Sequence, residues 1–112
     1  MNRLLPFTDR MEEAVRSGSK RATSRTKRYG AVGDKLVTPK GSILELIEVG
    51  KVRLDVVRDH YWRDEGCASP QDFEQVWTAI HPRKGFDPEQ EVWLHRFIVL
   101  PDGLVESQTY GA

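Results

Sequence analysis

The sequence predicts an α+β fold rich in β-strand: a small antiparallel barrel closed by two or three helices. Two segments, near residues 8–18 and 69–81, have helix caps and the apolar spacing of a helix. Several short segments between and after them have strand-like composition and are bounded by glycine and proline. The order of helix, strands, helix and strand is not a βαβ series, so antiparallel pairing is the economical packing.

Thr8 or Asp9 caps the first predicted helix, and Gly18 ends it. Its buried stripe consists of Met11, Ala14 and Val15. The segment 22–26, rich in threonine and serine, predicts a strand or an extended loop. Residues 35–38 and 42–49 predict a hairpin that reverses at 39–41.

Later elements follow from the same rules. Gly50 predicts a bulge or bend, and alternation of Val52, Leu54 and Val56 with polar residues predicts a further strand. Ser69 as cap and Pro70 at the first helical position open the next helix. Its apolar face contains Phe73, Val76, Trp77 and Ile80. Residues 92–100 predict the last strand, closed by a turn at 101–103.

Length and composition predict one domain over residues 1–112, with a core at about 7–100 and a loose polar tail at 104–112. With 38% hydrophobic and 30% charged residues, the chain has the composition of a folded, water-soluble protein. No apolar run approaches the roughly 20 residues that a membrane span needs, and the first seven residues do not form a signal peptide. The single cysteine, Cys67, fits a reducing compartment. We therefore expect a cytoplasmic protein without a membrane partner; the sequence favours no particular oligomeric state.

Charge is distributed unevenly along the chain. Residues 1–41 carry 10 basic and 4 acidic side chains, whereas residues 42–112 carry 7 and 13. The two halves can pair in the fold, but the stretch from Arg16 to Arg28 has six basic residues and no acid. Like charges in such number disfavour a compact state unless an anion binds them, which predicts RNA or a nucleotide as partner. The candidate binding residues here are Arg21, Arg25, Lys27 and Arg28.

Lys20, Thr23 and Arg25 are the first candidate site residues. A threonine hydroxyl is a nucleophile only when a base takes its proton, and a lysine serves as that base only with a lowered pKa. The forked donors of Arg25 suit a phosphate or an oxyanion. The alternative interpretation is a solvated basic loop with a strand-forming threonine.

Glu65, within Asp64-Glu65-Gly66, is the second candidate. Its carboxylate could orient Lys20, act as a general base or accept a hydrogen bond from a base edge. The alternative is an ordinary acidic loop.

Aromatic residues supply stacking candidates for nucleic acid. Tyr61 and Trp62 lie in a polar segment and are the better candidates, while Trp77 is assigned to the core and Trp93 fits either role. The histidines His60, His81 and His95 share no ligand spacing with Cys67, so neither a metal nor another cofactor is predicted.

The pattern Gly18-x-Lys20-x-x-Thr23-x-Arg25, followed by Gly33-Asp34 and Glu65-Gly66, resembles the ASCH domain over about residues 7–100. That resemblance implies a PUA-like β-barrel that binds RNA. One branch of small bacterial members hydrolyses N4-acetylcytidine with a lysine, a threonine and a glutamate, which match Lys20, Thr23 and Glu65. Thr23 would be the nucleophile, Lys20 its base, Glu65 the residue that orients or shares the proton, and Arg25 a substrate contact. Other members are ribonucleases or binding modules.

The chain departs from the family pattern in three places. Ser24 stands where the family usually has a β-branched apolar residue, Glu65-Gly66-Cys67 follows the broad family rather than the acetylcytidine branch, and the loop at 81–91 is longer than in that branch. The primary expectation is an RNA- or nucleotide-binding ASCH domain with a basic cleft. The alternatives are a metal-independent hydrolase, acting on an acylated nucleoside or on RNA, and a protein-interaction module whose cleft is vestigial.

Overall fold

The structure is a computed structural model that describes residues 3–101. Within these residues there are five strands and three helices. They are β1 (Arg3–Leu4), α1 (Asp9–Ser17), β2 (Ala22–Arg25), β3 (Lys35–Val37), β4 (Ile43–Arg53), α2 (Leu54–His60), α3 (Pro70–Ile80) and β5 (Glu91–Leu100). The predicted tail at 104–112 lies outside the described residues, as does most of the predicted turn at 101–103.

The strands form one curled sheet in the order β1-β3-β4-β5-β2. The α+β fold is confirmed, but the sheet is a half-barrel that stays open rather than a closed barrel. Pairing is antiparallel except between β1 and β3, which run parallel. β2 is one edge of the sheet, which leaves its outer side free to border a cleft.

Both predicted helix starts are confirmed. The Thr8 hydroxyl accepts a hydrogen bond from Met11 N at 3.2 Å, and Ser69 Oγ accepts one from Asp72 N at 3.0 Å. These hydroxyls satisfy backbone donors that have no partner inside the helix. α1 ends at Gly18, which has a left-handed φ of 85°.

The strand predicted around Val52, Leu54 and Val56 is wrong beyond Arg53, because Leu54 begins α2. Leu54 and Val57 are both fully buried, which is helical i, i+3 spacing, while Val56 is exposed. Backbone carbonyls of Gln90 and Pro88 accept hydrogen bonds from the first two N–H groups of the helix. The loop before β5 therefore caps α2 through long-range contacts that a local pattern does not encode.

The irregularity predicted at Gly50 is also misplaced. β4 pairs with β5 in register through Gly50, and the shift lies between Leu46 and Glu48. The intervening Ile47 is exposed while Leu46 is fully buried. The bulge thus lies at an apolar residue and not at the glycine.

Two hydrophobic clusters form the core. One contains Leu5, Val15, Leu36, Leu44, Leu46 and Phe97. The other contains Leu54, Val57, Phe73, Trp77 and Val92, which confirms the core assignment of Trp77. β5 contributes to both clusters because alternate residues of a strand point to opposite faces. No helix in residues 3–101 has the length and apolar character needed to cross a membrane.

Candidate functional site

A cleft of about 440 Å³ lies beside the free edge of β2, between α1, α3 and the loop that contains Glu65. Its lining has a polar part and an apolar part. The polar part is formed by Lys20, Thr23, Ser24, Arg25 and Glu65. The apolar part is formed mainly by Phe7, Met11, Ala14, Val76, Trp77 and Ile80. This volume is in the range of about 300–1,000 Å³ that small-molecule sites occupy.

Backbone hydrogen bonds bring the two halves of the polar part together. Lys20 and Glu65 form an isolated antiparallel bridge although they are 45 residues apart. The carbonyl of Asp64 accepts hydrogen bonds from the N–H groups of Arg21 and Ala22, at 2.6 and 2.8 Å. The Lys20 N–H donates to the Ala14 carbonyl at 3.0 Å, just beyond the end of α1. The loop, the helix end and the strand start are thereby fixed to one another.

Glu65 is the centre of a buried polar cluster. Lys20 Nζ donates to Glu65 Oε1 at 3.2 Å and to the Glu65 carbonyl at 3.0 Å. Ser24 Oγ donates to Glu65 Oε2 at 2.6 Å. The side chains of Lys20 and Glu65 are only 3% and 6% exposed. Burial of two charges is tolerated because they neutralise each other and are hydrogen-bonded.

Thr23 belongs to a neighbouring pair. Its Oγ1 accepts a hydrogen bond from Arg25 Nε at 2.9 Å, and Arg25 Nη2 donates to the Pro6 carbonyl at 2.7 Å. The guanidinium also lies 5.1 Å from the centre of the Phe7 ring. Burial lowers the pKa of Arg25 from its ordinary value, because desolvation disfavours the cation.

His95 contacts the backbone of Thr23. Tyr29 N donates to His95 Nε2 at 3.0 Å, so the proton of the neutral ring is on Nδ1, which lies 3.3 Å from the Thr23 carbonyl. Burial lowers the pKa of His95, which favours this neutral form. His95 therefore holds the backbone of β2 in place and does not reach the cleft.

The structure brings together some of the residues predicted for the site. Lys20, Thr23, Glu65, Arg25 and Lys27 all line the cleft. Within residues 3–101, Lys20 Nζ has hydrogen bonds to Glu65 alone, and none joins it to Thr23.

Four other predicted binding residues lie outside the cleft lining. Tyr61 and Trp62 pack against the second hydrophobic cluster. Arg21 is exposed, and Arg28 lies 5.5 Å from the centre of the Trp93 ring, on the loop that follows β2. Arg28 and Trp93 thus extend the basic and aromatic surface beyond the cleft.

Sequence reasoning missed the role of Ser24 and the apolar wall. Ser24 lies one residue from Thr23, and its spacing of four from Lys20 gave no indication that it would meet Glu65. The wall was predicted only as the buried faces of two helices, and nothing in one sequence indicates that α1 and α3 leave a gap. Among residues 3–101, no group of three or more histidine, cysteine or acidic side chains is placed to hold a metal ion.

Cys67 provides a reporter at the cleft wall. Burial and the nearby charge of Glu65 raise the pKa of this thiol to about 11. We expect alkylation by iodoacetamide to be slow near neutral pH and to rise about tenfold per pH unit until roughly pH 11, because only the thiolate reacts. Cys67 is the only cysteine, so the mass of the intact protein reports the rate directly. Urea-unfolded protein is the control. If alkylation of the folded protein reached its plateau at the same pH as alkylation of the unfolded protein, the half-buried placement of Cys67 beside Glu65 would be contradicted.

Comparison with solved structures identifies the fold. An ASCH domain of Lactobacillus crispatus JV V101 matches with a TM-score of 0.60 and 16% identity, over 87% of this chain and 79% of that one. A protein of Enterococcus faecalis V583 matches with a TM-score of 0.66 and 17% identity, over 89% and 77%. A variant of the protein ZmASCH from Zymomonas mobilis matches with a TM-score of 0.63 and 14% identity, over 85% of this chain and 67% of that one.

No protein-family model and no curated protein matches the sequence. At such low identities the structural likeness defines the fold alone. The chain therefore has the α+β fold of ASCH domains, which is of the PUA-like type.

Proposed function

We propose that the cleft binds a nucleoside or nucleotide, either free or as one unit of RNA. The observation that carries this proposal is the Lys20–Glu65 pair, buried in a cleft that is bordered by basic and aromatic side chains. A nucleobase edge combines donors and acceptors, and a carboxylate next to an ammonium group matches that combination. Two Lys20 donors go to Glu65, which leaves a third for a ligand carbonyl.

The border of the cleft favours a ligand with phosphate and a flat ring. Arg25 and Lys27 line the cleft. The Arg25 guanidinium lies 5.1 Å from the centre of the Phe7 ring, and Lys27 Nζ lies 5.2 Å from the centre of the Tyr29 ring. Aromatic faces stack on bases, and guanidinium groups bind phosphate through paired donors. The cleft volume of about 440 Å³ favours one nucleotide unit over a long strand in the cleft itself.

Binding of cytidine, its 5′-monophosphate and a short mixed-sequence RNA tests the proposal. We expect the affinity for the two phosphate-bearing ligands to fall as salt rises, because binding releases counterions, and the affinity for cytidine to change little. Lys27→Ala should reduce that salt dependence, while Lys84→Ala, outside the cleft lining, should leave it unchanged. Bound ligand should also slow alkylation of Cys67. Absence of binding by all three ligands would refute the proposal.

Hydrolysis of an acylated nucleoside is a second candidate function. It is favoured by Glu65, whose carboxylate contacts both an ammonium group and a hydroxyl, since such an arrangement can move a proton during acyl transfer. Incubation with N4-acetylcytidine should release cytidine, and Glu65→Gln should abolish the release; thermal unfolding of the variant shows whether it is folded. Cleavage of RNA in place of this reaction would indicate a nuclease. If neither substrate gave a product, the hydrolase function would be refuted and the binding function would remain.

A further inference from the structure

We infer that Ser24 is the nucleophile of an acyl-transfer site in this cleft, with Glu65 as its general base. The inference rests on the second candidate function and names the reacting hydroxyl. The substrate class is a carboxylic amide or ester whose carbonyl carbon reaches Ser24 Oγ.

The hydrogen bond from Ser24 to Glu65 has the geometry of an activated nucleophile. Oγ and Oε2 are 2.6 Å apart, and the direction is fixed because an ionised carboxylate only accepts. Short O–H···O⁻ contacts of this kind are among the stronger hydrogen bonds. The proton of Ser24 is therefore already directed at the group that would remove it.

Lys20 positions the base. Its Nζ contacts the other carboxylate oxygen, Oε1, at 3.2 Å and the Glu65 carbonyl at 3.0 Å. Three groups thus form a continuous chain of hydrogen bonds from ammonium to carboxylate to hydroxyl. This is the order in which a nucleophile, its base and the group that orients the base occur in acyl-transfer enzymes.

Thr23 is less suited to the same role in this chain. Its hydroxyl oxygen accepts a hydrogen bond from Arg25 Nε at 2.9 Å, and both Thr23 and Ser24 are buried. Within residues 3–101 no hydrogen bond joins Thr23 Oγ1 to Lys20 Nζ or to a carboxylate. A hydroxyl that accepts from a cation and donates to no base is not activated. Ser24 and Thr23 are adjacent in β2, so their side chains point to opposite faces of the strand, and Ser24 is the one whose hydroxyl reaches Glu65.

The reaction balances without a cofactor. Ser24 Oγ attacks the acyl carbon while its proton moves to Glu65 Oε2, and the negative charge develops on the acyl oxygen. The bond from carbon to the leaving nitrogen or oxygen then breaks, and Glu65 returns the proton to that atom. Water next attacks the acyl-serine ester and gives one proton to Glu65. Collapse of the second intermediate releases the carboxylic acid, and Glu65 returns its proton to Ser24 Oγ, which restores the free serine.

A serine-directed fluorophosphonate probe tests the inference without a known substrate. We expect one adduct, placed on Ser24 by fragmentation of the peptide that also contains Thr23. Ser24→Ala and Glu65→Gln should each slow labelling at least about a hundredfold, in the range of general base catalysis. Ser42→Ala, outside the cleft lining, should label at the unchanged rate. Thermal unfolding of each variant shows whether it is folded.

The outcomes separate this inference from the proposed hydrolysis of nucleosides. Labelling of Ser24 without release of cytidine from N4-acetylcytidine would support the inference and refute that substrate. An adduct on Thr23, or no adduct on the wild-type protein, would overturn the inference. Release of cytidine by Ser24→Ala at the wild-type rate would overturn it as well, while leaving the hydrolase function in place.

Discussion

Replacement of Glu65 by leucine is expected to lower the free energy of unfolding by about 3–5 kcal/mol, the range for breaking a buried ion pair. The substitution removes the carboxylate 3.2 Å from Lys20 Nζ, where both side chains are almost completely buried. The ammonium group then retains a single backbone carbonyl as its partner, and the Ser24 hydroxyl loses its acceptor. An uncompensated buried charge costs far more free energy than the contact that held it.

The double variant Lys20→Met/Glu65→Leu should recover most of this loss, because it removes both charges together and fills the space with apolar atoms. Chemical denaturation of the wild type, the two single variants and the double variant gives the coupling energy. The exposed pair Lys35–Glu45, at 3.8 Å, is the matched control and should show a coupling below about 1 kcal/mol. Additive losses in the buried pair would contradict the arrangement.

The free-energy cost of burying Lys20 and Glu65 bears on what the two residues do. Well-packed apolar residues are often as stabilising as a buried ion pair, or more so, and stability alone therefore does not explain Lys20 and Glu65. Both residues line a cleft, and the carboxylate also holds a hydroxyl group. Buried charges with specific partners inside a cleft are typical of ligand and catalytic sites. The burial of this pair therefore supports the proposed ligand site.

The fold could be predicted where its causes are local. The caps at Thr8 and Ser69, the end of α1 at Gly18 and the last strand depend on neighbouring residues, and all four are confirmed. The segment at Leu54 was misread because alternation and helical spacing coincide over so few residues. The first strand has only two residues, Arg3 and Leu4, and its pairing with β3 carries no local signal.

The site was predictable only in part for a related reason. Lys20 and Thr23 lie close together in the sequence, but the meeting of Lys20 with Glu65 is a long-range backbone pairing that the resemblance implied and spacing did not. Tyr61 and Trp62 have polar neighbours in the sequence, which favoured a stacking role. The structure packs them against the second hydrophobic cluster, at the end of a helix that the sequence pattern did not predict.

Gly66 should prove to be the backbone position on which the site depends. Gly66→Ala is expected to lower the free energy of unfolding by about 2–4 kcal/mol, as the sum of backbone strain and overpacking. Its φ of +86° is in the left-handed region that favours glycine, and an added Cβ would lie 3.0 Å from Lys20 Cβ and 3.2 Å from Ala14 Cβ. Relief of that contact requires the loop to move away from Lys20, so ligand affinity should fall together with stability.

Gly18→Ala separates the backbone strain from the overpacking. Gly18 has almost the same φ, +85°, but an added Cβ would meet no atom within 4 Å. Its loss of stability should therefore be about 1 kcal/mol, the conformational part alone. The difference between the two variants, measured by chemical denaturation, gives the free energy of the close approach at Gly66. Equal losses would mean that the loop can withdraw freely from Lys20. A larger loss at Gly66 would show that the backbone following Glu65 is held against Lys20, as a preorganised pair requires.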